Sequence, residues 1–129
     1  MSSPPRKILV VEDSALMRQL YRAVLSGEGA ELVYAENGAE ALDRAAQTPD
    51  IDLFIVDINM PQMDGLEFLR RLRGELGCVD TPALVVSTEA EDEDHRSAIE
   101  AGASGYLRKP WTPPQLLQAV RRLYPGGTE

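Results

Sequence analysis

The sequence has no long apolar run, and it contains very little cysteine or histidine. No apolar stretch approaches the roughly 20 residues of a membrane span, and the opening residues MSSPP lack the apolar segment of a signal peptide. These absences predict a cytoplasmic protein without membrane association. The single cysteine, Cys78, excludes an internal disulfide, which fits a reducing compartment. The single histidine, His95, is predicted to be an exposed helical residue, because no neighbour suggests a metal site or a catalytic base.

Net positive charge is also missing. The 129 residues include 21 acidic side chains and 13 lysines and arginines, giving a formal net charge of −8. A surface of this sign gains little from counterion release, so we expect no direct contact with nucleic acid. The length suits one domain with a single core. We expect a flexible N-terminus over residues 1–6, a folded domain over residues 7–124 and a flexible tail over residues 125–129, in a monomer or weak dimer.

Five short segments have the character of strands. Three of them, residues 8–11, 53–56 and 83–86, are uninterrupted apolar runs, which is typical of parallel strands covered by helices on both faces. Residues 31–35 alternate between polar and apolar and are therefore placed at a sheet edge. Residues 105–108 form a weaker fifth strand.

Amphipathic stretches separate these strands. The last stretch has the clearest start, because Thr112 can cap a helix, Pro113 suits the first helical position and Gln115 completes a capping box. The fourth, at about residues 91–101, is the least apolar. Five repeats of strand then helix predict an α/β protein, a three-layer doubly wound sandwich with right-handed crossovers. Ligands of such sheets bind beyond the carboxyl ends of the strands.

Polar side chains collect at that edge. A carboxylate at the mouth of a buried strand is positioned for chemistry, and Asp57 directly follows the apolar run 53–56. Other strand-like segments end in the same way, and the groups that they add are Glu12 and Asp13, Ser87 and Thr88, and Lys109 before Pro110.

Four of these motifs together resemble the receiver domain of two-component response regulators, most closely the stand-alone, CheY-like type. They are Glu12-Asp13, then Asp57 with Met60-Pro61 and Asp64-Gly65, then Ser87, then AGASGY at 101–106 with Lys109-Pro110. The resemblance covers about residues 7–123. It implies a flavodoxin-like sheet of five parallel strands in the order 2-1-3-4-5 with five helices, and a cis peptide bond before Pro110. Glu12 departs from the aspartate often found first in the acidic pair.

The resemblance implies that Asp57 accepts a phosphoryl group from a histidine kinase or a phosphotransfer protein. Lys109 would pair with Asp57 at rest and with a phosphoryl oxygen afterwards, while the Ser87 hydroxyl would bind another oxygen. The chain lacks a phosphodonor histidine of its own at this edge, because His95 lies elsewhere. The protein is thus expected to catalyse its own phosphorylation and dephosphorylation without being a turnover enzyme.

A magnesium ion is expected among the acids. Like charges placed together raise each other's pKa, and a divalent cation resolves that conflict. Oxygen ligands with retained water suit Mg²⁺. Asp13 and Asp57 are the expected direct ligands, Glu12 would act through water, and the main-chain carbonyl of Asn59 would complete the set.

The output is expected at the surface formed by the fourth helix, the fifth strand and the fifth helix. The resemblance implies that Ser87 moves toward the phosphoryl group and lets Tyr106 turn inward, which would signal to a partner protein. Trp111 either contacts that partner or only covers the core, and Tyr106 could be a plain half-buried strand residue. Asn59 and Glu89 are expected to tune the lifetime of the acyl phosphate.

Two other classes of protein share part of this residue set. A small phosphohydrolase with an aspartyl nucleophile would need a general acid two residues after that nucleophile, and Asn59 cannot serve. An adaptor that binds without being phosphorylated would be expected to lack the acceptor or the lysine, and both are present. Asp13 also has an alternative role, as the N-cap of the first helix.

Overall fold

Strands and helices alternate along the whole described chain. The structure, a computed structural model, describes residues 6–58, 65–88 and 92–123. None of the helices in these ranges is long and apolar enough to span a lipid bilayer. The elements are β1 (Lys7–Val11), α1 (Ala15–Leu25), β2 (Glu31–Ala35), α2 (Gly38–Gln47), β3 (Leu53–Asp57), α3 (Gly65–Gly74), β4 (Ala83–Ser87), α4 (Asp92–Ala101), β5 (Gly105–Arg108) and α5 (Pro113–Leu123), with a short 3-10 helix (Ser26–Glu28) after α1.

The five strands form one parallel sheet in the order β2-β1-β3-β4-β5. This confirms the flavodoxin-like, doubly wound order, and it confirms that residues 31–35 lie at an edge. The order reverses between β1 and β3, because β2 lies on one side of β1 and the later strands lie on the other. In sheets of this kind the crevice at the reversal is where ligands bind. It is bordered here by the carboxyl ends of β1 and β3.

The core consists of two apolar layers, one on each face of the sheet. Leu9 and Val11 pack with the layer beneath α2, α3 and α4, whereas Ile8 and Val10 pack with the layer beneath α1 and α5. All four of these β1 residues are buried. The uninterrupted apolar runs are explained by this arrangement, because successive strand residues point to opposite faces and both faces are covered.

Side-chain caps define where several helices begin. The Ser14 hydroxyl accepts from the Met17 main-chain N–H at 3.2 Å, so Ser14 is the N-cap of α1. Asp13 is therefore not that cap, and capping does not account for its carboxylate. At α5, Thr112 and Gln115 form the expected capping box, with the Thr112 N–H donating to Gln115 Oε1 at 2.8 Å.

One half-buried arginine joins two loops at the end of the molecule opposite to the strand carboxyl ends. The Arg73 guanidinium donates to the main-chain carbonyls of Cys78, Thr81 and Gly102 at 2.7–3.1 Å. Burial lowers the pKa of Arg73 below its ordinary value. Gly102 has φ of 116° at the end of α4, and a Cβ there would lie 2.7 Å from Arg73 Cγ. Arg73 thus fixes the end of α3 to the end of α4.

Candidate functional site

The carboxyl ends of β1, β3 and β5 bring three charged side chains together. Asp57 is the last residue of β3 and is 2% exposed, and Glu12, which follows β1, is 1% exposed. The Lys109 Nζ lies 3.1 Å from Asp57 Oδ2 and 3.8 Å from Glu12 Oε1. Two nearly inaccessible carboxylates thus share one ammonium group.

Strand pairing explains why the lysine reaches this position. Ser87, the last residue of β4, pairs with Arg108, and the next main-chain N–H, that of Lys109, donates to the Ser87 carbonyl at 2.7 Å. The Lys109–Pro110 peptide bond is cis, as the resemblance implied. Ser87 is fully buried beside Asp57, because β4 is the direct neighbour of β3. The expected lysine and hydroxyl therefore both lie at the carboxyl ends of β4 and β5, next to Asp57 at the end of β3.

Main-chain contacts fix Glu12. Its N–H donates to the Ala35 carbonyl at 2.9 Å, which extends the pairing of β1 with β2 by one residue. Its carbonyl accepts from Arg18 Nη1 at 2.8 Å, and its Oε2 accepts from the Ser14 N–H at 3.1 Å. The Arg18 and Ser14 contacts were not predicted. The only cue in the sequence is that serine is a preferred N-cap residue, which places Ser14 at the start of the helix that follows Glu12.

Glu12 is held in an environment that disfavours its charge. Burial, followed by the negative charge of Asp57, raises the pKa of Glu12 from 4.5 to about 7, against the opposing effects of Lys109 and of the Ser14 N–H. Within the described residues, Glu12 Oε1 is buried without a hydrogen-bond partner. A buried carboxylate oxygen with spare acceptor capacity fits a site that is completed by another group.

Glu12, Asp13 and Asp57 fit a hard divalent cation. One carboxylate oxygen from each lies within 4.8 Å of the others, and Asp13 is on the exposed side of the cluster. An all-oxygen donor set that keeps room for water is the environment that Mg²⁺ prefers. The excess of negative charge, three carboxylates against one nearby ammonium, also favours a cation.

Gly65 allows α3 to begin against the site. A Cβ at this position would lie 2.7 Å from the Asp57 carbonyl oxygen, 2.7 Å from Val56 Cγ1 and 2.9 Å from Ile58 Cα. Two of these three atoms belong to the backbone, so no side-chain rotation could remove the overlap. The Asp64-Gly65 pair was noted in the sequence as a motif, but its steric role becomes visible only when α3 and β3 are placed together.

Tyr106 lies half-buried on β5 and packs against the core layer beneath α2, α3 and α4. The ring of His95, on α4, is stacked on it with centroids 3.9 Å apart and planes inclined by 26°. His95 is exposed and helical as predicted, but its contact with Tyr106 was not predicted. Trp111 packs in the other layer, 5.0 Å from the Tyr21 ring, and so covers the core.

Some predicted site residues lie outside the described part of the chain. They are Asn59 and Glu89, together with the neighbouring Met60, Pro61 and Asp64. The expected metal contact of the Asn59 carbonyl and the expected tuning roles of Asn59 and Glu89 therefore remain predictions.

Comparison with known proteins agrees with this architecture. A family model described as the response regulator receiver domain matches residues 8–121. A chemotaxis protein CheY homolog of Campylobacter jejuni is 35% identical over 123 residues, 95% of each chain. The solved structure of CheY4, a chemotaxis response regulator of Vibrio cholerae, is 36% identical, with a TM-score of 0.86 over 92% of this chain and 98% of that one.

A different kind of relative has the same fold. The receiver domain of a signal transduction histidine kinase from Syntrophus aciditrophicus is 31% identical, with a TM-score of 0.84 over 96% of this chain and 95% of that one. The chain belongs to the response regulator receiver domain family of two-component signalling proteins. Receiver domains of the CheY-like type are signalling proteins, and they act with histidine kinases and downstream targets.

Proposed function

We propose that this receiver domain accepts a phosphoryl group on Asp57 and passes the signal to a partner protein through the surface formed by α4, β5 and α5. One observation carries the proposal: a buried carboxylate at the end of β3 lies 3.1 Å from the Lys109 ammonium and within 4.8 Å of the Glu12 and Asp13 oxygens. This cluster has more negative charge than the lysine can neutralise, and a buried charge without compensation is costly to keep unless the site binds another group.

The phosphoryl transfer can be written from these groups. An Asp57 carboxylate oxygen attacks the phosphorus of a phosphohistidine on the donor protein, and the P–N bond breaks as the P–O bond forms. The electron pair of the broken bond stays on the donor imidazole, which takes up a proton. Lys109 is close enough to follow the developing charge from the carboxylate to a phosphoryl oxygen. The Ser87 hydroxyl, at the end of the neighbouring strand, would donate to a second oxygen.

Mg²⁺ would be held by Asp13 and Asp57 directly, by Glu12 through water and by the Asn59 main-chain carbonyl. When bound, it supplies positive charge opposite the phosphoryl oxygens and allows the three acids to stay ionised. The Oε1 of Glu12 supports a water-mediated role, since that atom accepts no hydrogen bond from the described residues. Asn59 and Glu89, two residues beyond Asp57 and Ser87, would orient water for loss of the phosphoryl group.

The output surface follows from the sheet register. Tyr106 pairs with Val85, and Val85 and Ser87 share a face because they are two residues apart on β4. A movement of Ser87 toward the phosphoryl group would therefore open space on the face that carries the Tyr106 ring. A groove of about 440 Å³ lies between β5 and α5 on this surface, and its lining includes Tyr106, Arg108, Gln118 and Arg122. A downstream protein is the proposed occupant.

Intact-mass measurement tests the acceptor. Incubation with acetyl phosphate and Mg²⁺ should add one phosphoryl group to the parent protein. Asp57→Asn should add none, a loss of at least about 100-fold, because an amide cannot form the acyl phosphate. Asp43→Asn, which alters an exposed carboxylate on α2, should behave like the parent.

Two results would contradict this assignment. Labelling that persists in Asp57→Asn would move the acceptor elsewhere, and a parent protein that never gains mass would favour an adaptor that is not phosphorylated. Hydrolysis of a generic phosphoester with many turnovers would favour a phosphohydrolase instead.

A further inference from the structure

The stack between His95 and Tyr106 joins two elements of the output surface. The ring centroids are 3.9 Å apart and the planes differ by 26°, so the rings face each other over much of their area. His95 is exposed on α4, whereas Tyr106 is half-buried on β5. The phenol ring is thus held at the solvent side of the sheet face, against a ring that does not belong to the core.

The helix positions the imidazole firmly. Ala98, one turn after His95, is fully buried against the core layer, and Ala101 after it is 4% exposed. Residues three apart lie on the same side of a helix, so His95 lies on the side of α4 that carries these two anchors.

A turn of Tyr106 toward Ser87 would break this stack. The tyrosine shares its sheet face with Val85 and Ser87, so an inward turn carries the ring along β4 and away from α4. Stacked aromatic pairs contribute free energy beyond that of area burial. Loss of the stack therefore raises the free energy of the conformer in which Tyr106 points inward.

We propose that His95 is a positioning residue that holds Tyr106 at the surface in the unphosphorylated protein and sets how strongly phosphorylation must act to turn it inward. This inference rests on the proposed function, because it takes Tyr106 as the residue that reports on Asp57. Removing the imidazole should raise the resting population of the inward tyrosine about two- to tenfold, the range that one aromatic contact supports.

The single histidine makes the stack directly measurable. Its imidazole C–H signals are the only ones in a proton NMR spectrum of this chain, and a facing phenol ring shifts them upfield. At rest, the parent protein should show that shift relative to Tyr106→Leu. Addition of Mg²⁺ and beryllofluoride, a phosphoryl mimic, should move the parent signals toward those of Tyr106→Leu.

Variants at position 95 separate positioning from a general effect on α4. With ¹³C-labelled tyrosine, and with Tyr106 identified by its loss in Tyr106→Leu, His95→Ala should show the raised inward fraction at rest. His95→Phe, which keeps a flat ring, should restore the parent fraction. Arg96→Ala, an exposed change on the same helix, should leave it unchanged.

Two outcomes would overturn the proposal. Identical imidazole signals in the resting parent and Tyr106→Leu would mean that the rings do not stack, and an unchanged inward fraction in His95→Ala would mean that the stack positions nothing. Both measurements are made without phosphorylation. Failure of Asp57 to gain mass would therefore count against the proposed function alone, while the resting data would still decide the role of His95.

Discussion

Two charge clusters lie at opposite ends of this sheet, and their charges are compensated in different ways. At one end, the Arg73 guanidinium donates to three main-chain carbonyls. At the other end, Glu12 and Asp57 share one lysine, Asp13 lies beside these two carboxylates, and Glu12 Oε1 is buried without a hydrogen bond among the described residues. The first cluster is complete within the fold, whereas the second is short of positive charge.

This difference in charge compensation suggests a structural role for the Arg73 cluster and a functional role for the acid cluster. A buried charge that is fully hydrogen-bonded rigidifies its surroundings, and removing it leaves several groups without partners. A cluster with excess charge destabilises the fold until another group arrives. We therefore expect substitutions at Arg73 to reduce stability, and changes at the acid cluster to alter binding and chemistry more than folding.

Arg73→Met should have the largest effect on stability. The change preserves much of the apolar stem but removes every donor to the carbonyls of Cys78, Thr81 and Gly102. Leaving these three partly buried carbonyls without a donor should lower the free energy of unfolding by about 3 kcal/mol. Urea denaturation of the parent protein and the variant at neutral pH measures this decrease in the free energy of unfolding.

Arg71→Met is the matched control in the same helix. Arg71 is exposed and pairs only with Glu67 and Glu75 on the surface of α3 among the ion pairs described. Such pairs contribute about 0.5 kcal/mol or less. Equal losses in the two variants would remove the contrast between a completed internal cluster and a surface network.

Gly65→Ala should have the next largest effect, and it should act at the acid cluster. A new Cβ would overlap the Asp57 carbonyl and the Ile58 Cα, so α3 must shift away from the end of β3. Overpacking of this kind costs about 2 kcal/mol. The shift should also slow labelling of Asp57 by acetyl phosphate, which unfolding and intact-mass measurements can follow together.

Gly74→Ala tests whether that loss is steric. Gly74 ends the same helix, and a Cβ there would meet no atom within 4 Å. Alanine is the better helix former, so this variant should keep or slightly raise stability. If the two glycine variants behave alike, close approach to Asp57 is not the reason for the glycine at position 65.

The sequence predicted the sheet and most of the acid cluster for one reason. Continuous apolar runs mark strands buried on both faces, and the residues that end those runs must meet at one edge once the strands are parallel. The order of the strands and the cis bond before Pro110 came from the family resemblance. Local patterns do not contain that information.

Contacts between distant elements were beyond such reasoning. The Arg73 cluster joins residues up to 29 positions apart, and the His95–Tyr106 stack depends on how α4 lies over β5. An arginine on a helix and a histidine in an acidic stretch both have the pattern of solvated surface residues. Their partners are set by packing angles, which hydrophobic periodicity does not encode.

The excess negative charge of the acid cluster should make Mg²⁺ binding depend on pH. This effect should be smaller than those of Arg73→Met and Gly65→Ala. The pKa of Glu12 is raised to about 7. Because the folded protein holds this proton more tightly than the unfolded chain, the associated stability is present below the ordinary carboxyl range and is lost as the pH rises through about 7. A divalent cation that needs ionised carboxylates should therefore bind better on the alkaline side.

We expect Mg²⁺ to bind about tenfold more tightly at about pH 8 than at about pH 5.5, since protons compete for Glu12 across that interval. Calorimetric titration measures the affinity at each pH. Glu12→Gln cannot take up this proton and should lose most of the pH dependence, whereas Glu36→Gln, at a side chain 66% exposed, should retain it. A pH dependence of Mg²⁺ binding that survives in Glu12→Gln would mean that another group titrates. Excess negative charge at Glu12 would then no longer distinguish the acid cluster from the arginine cluster.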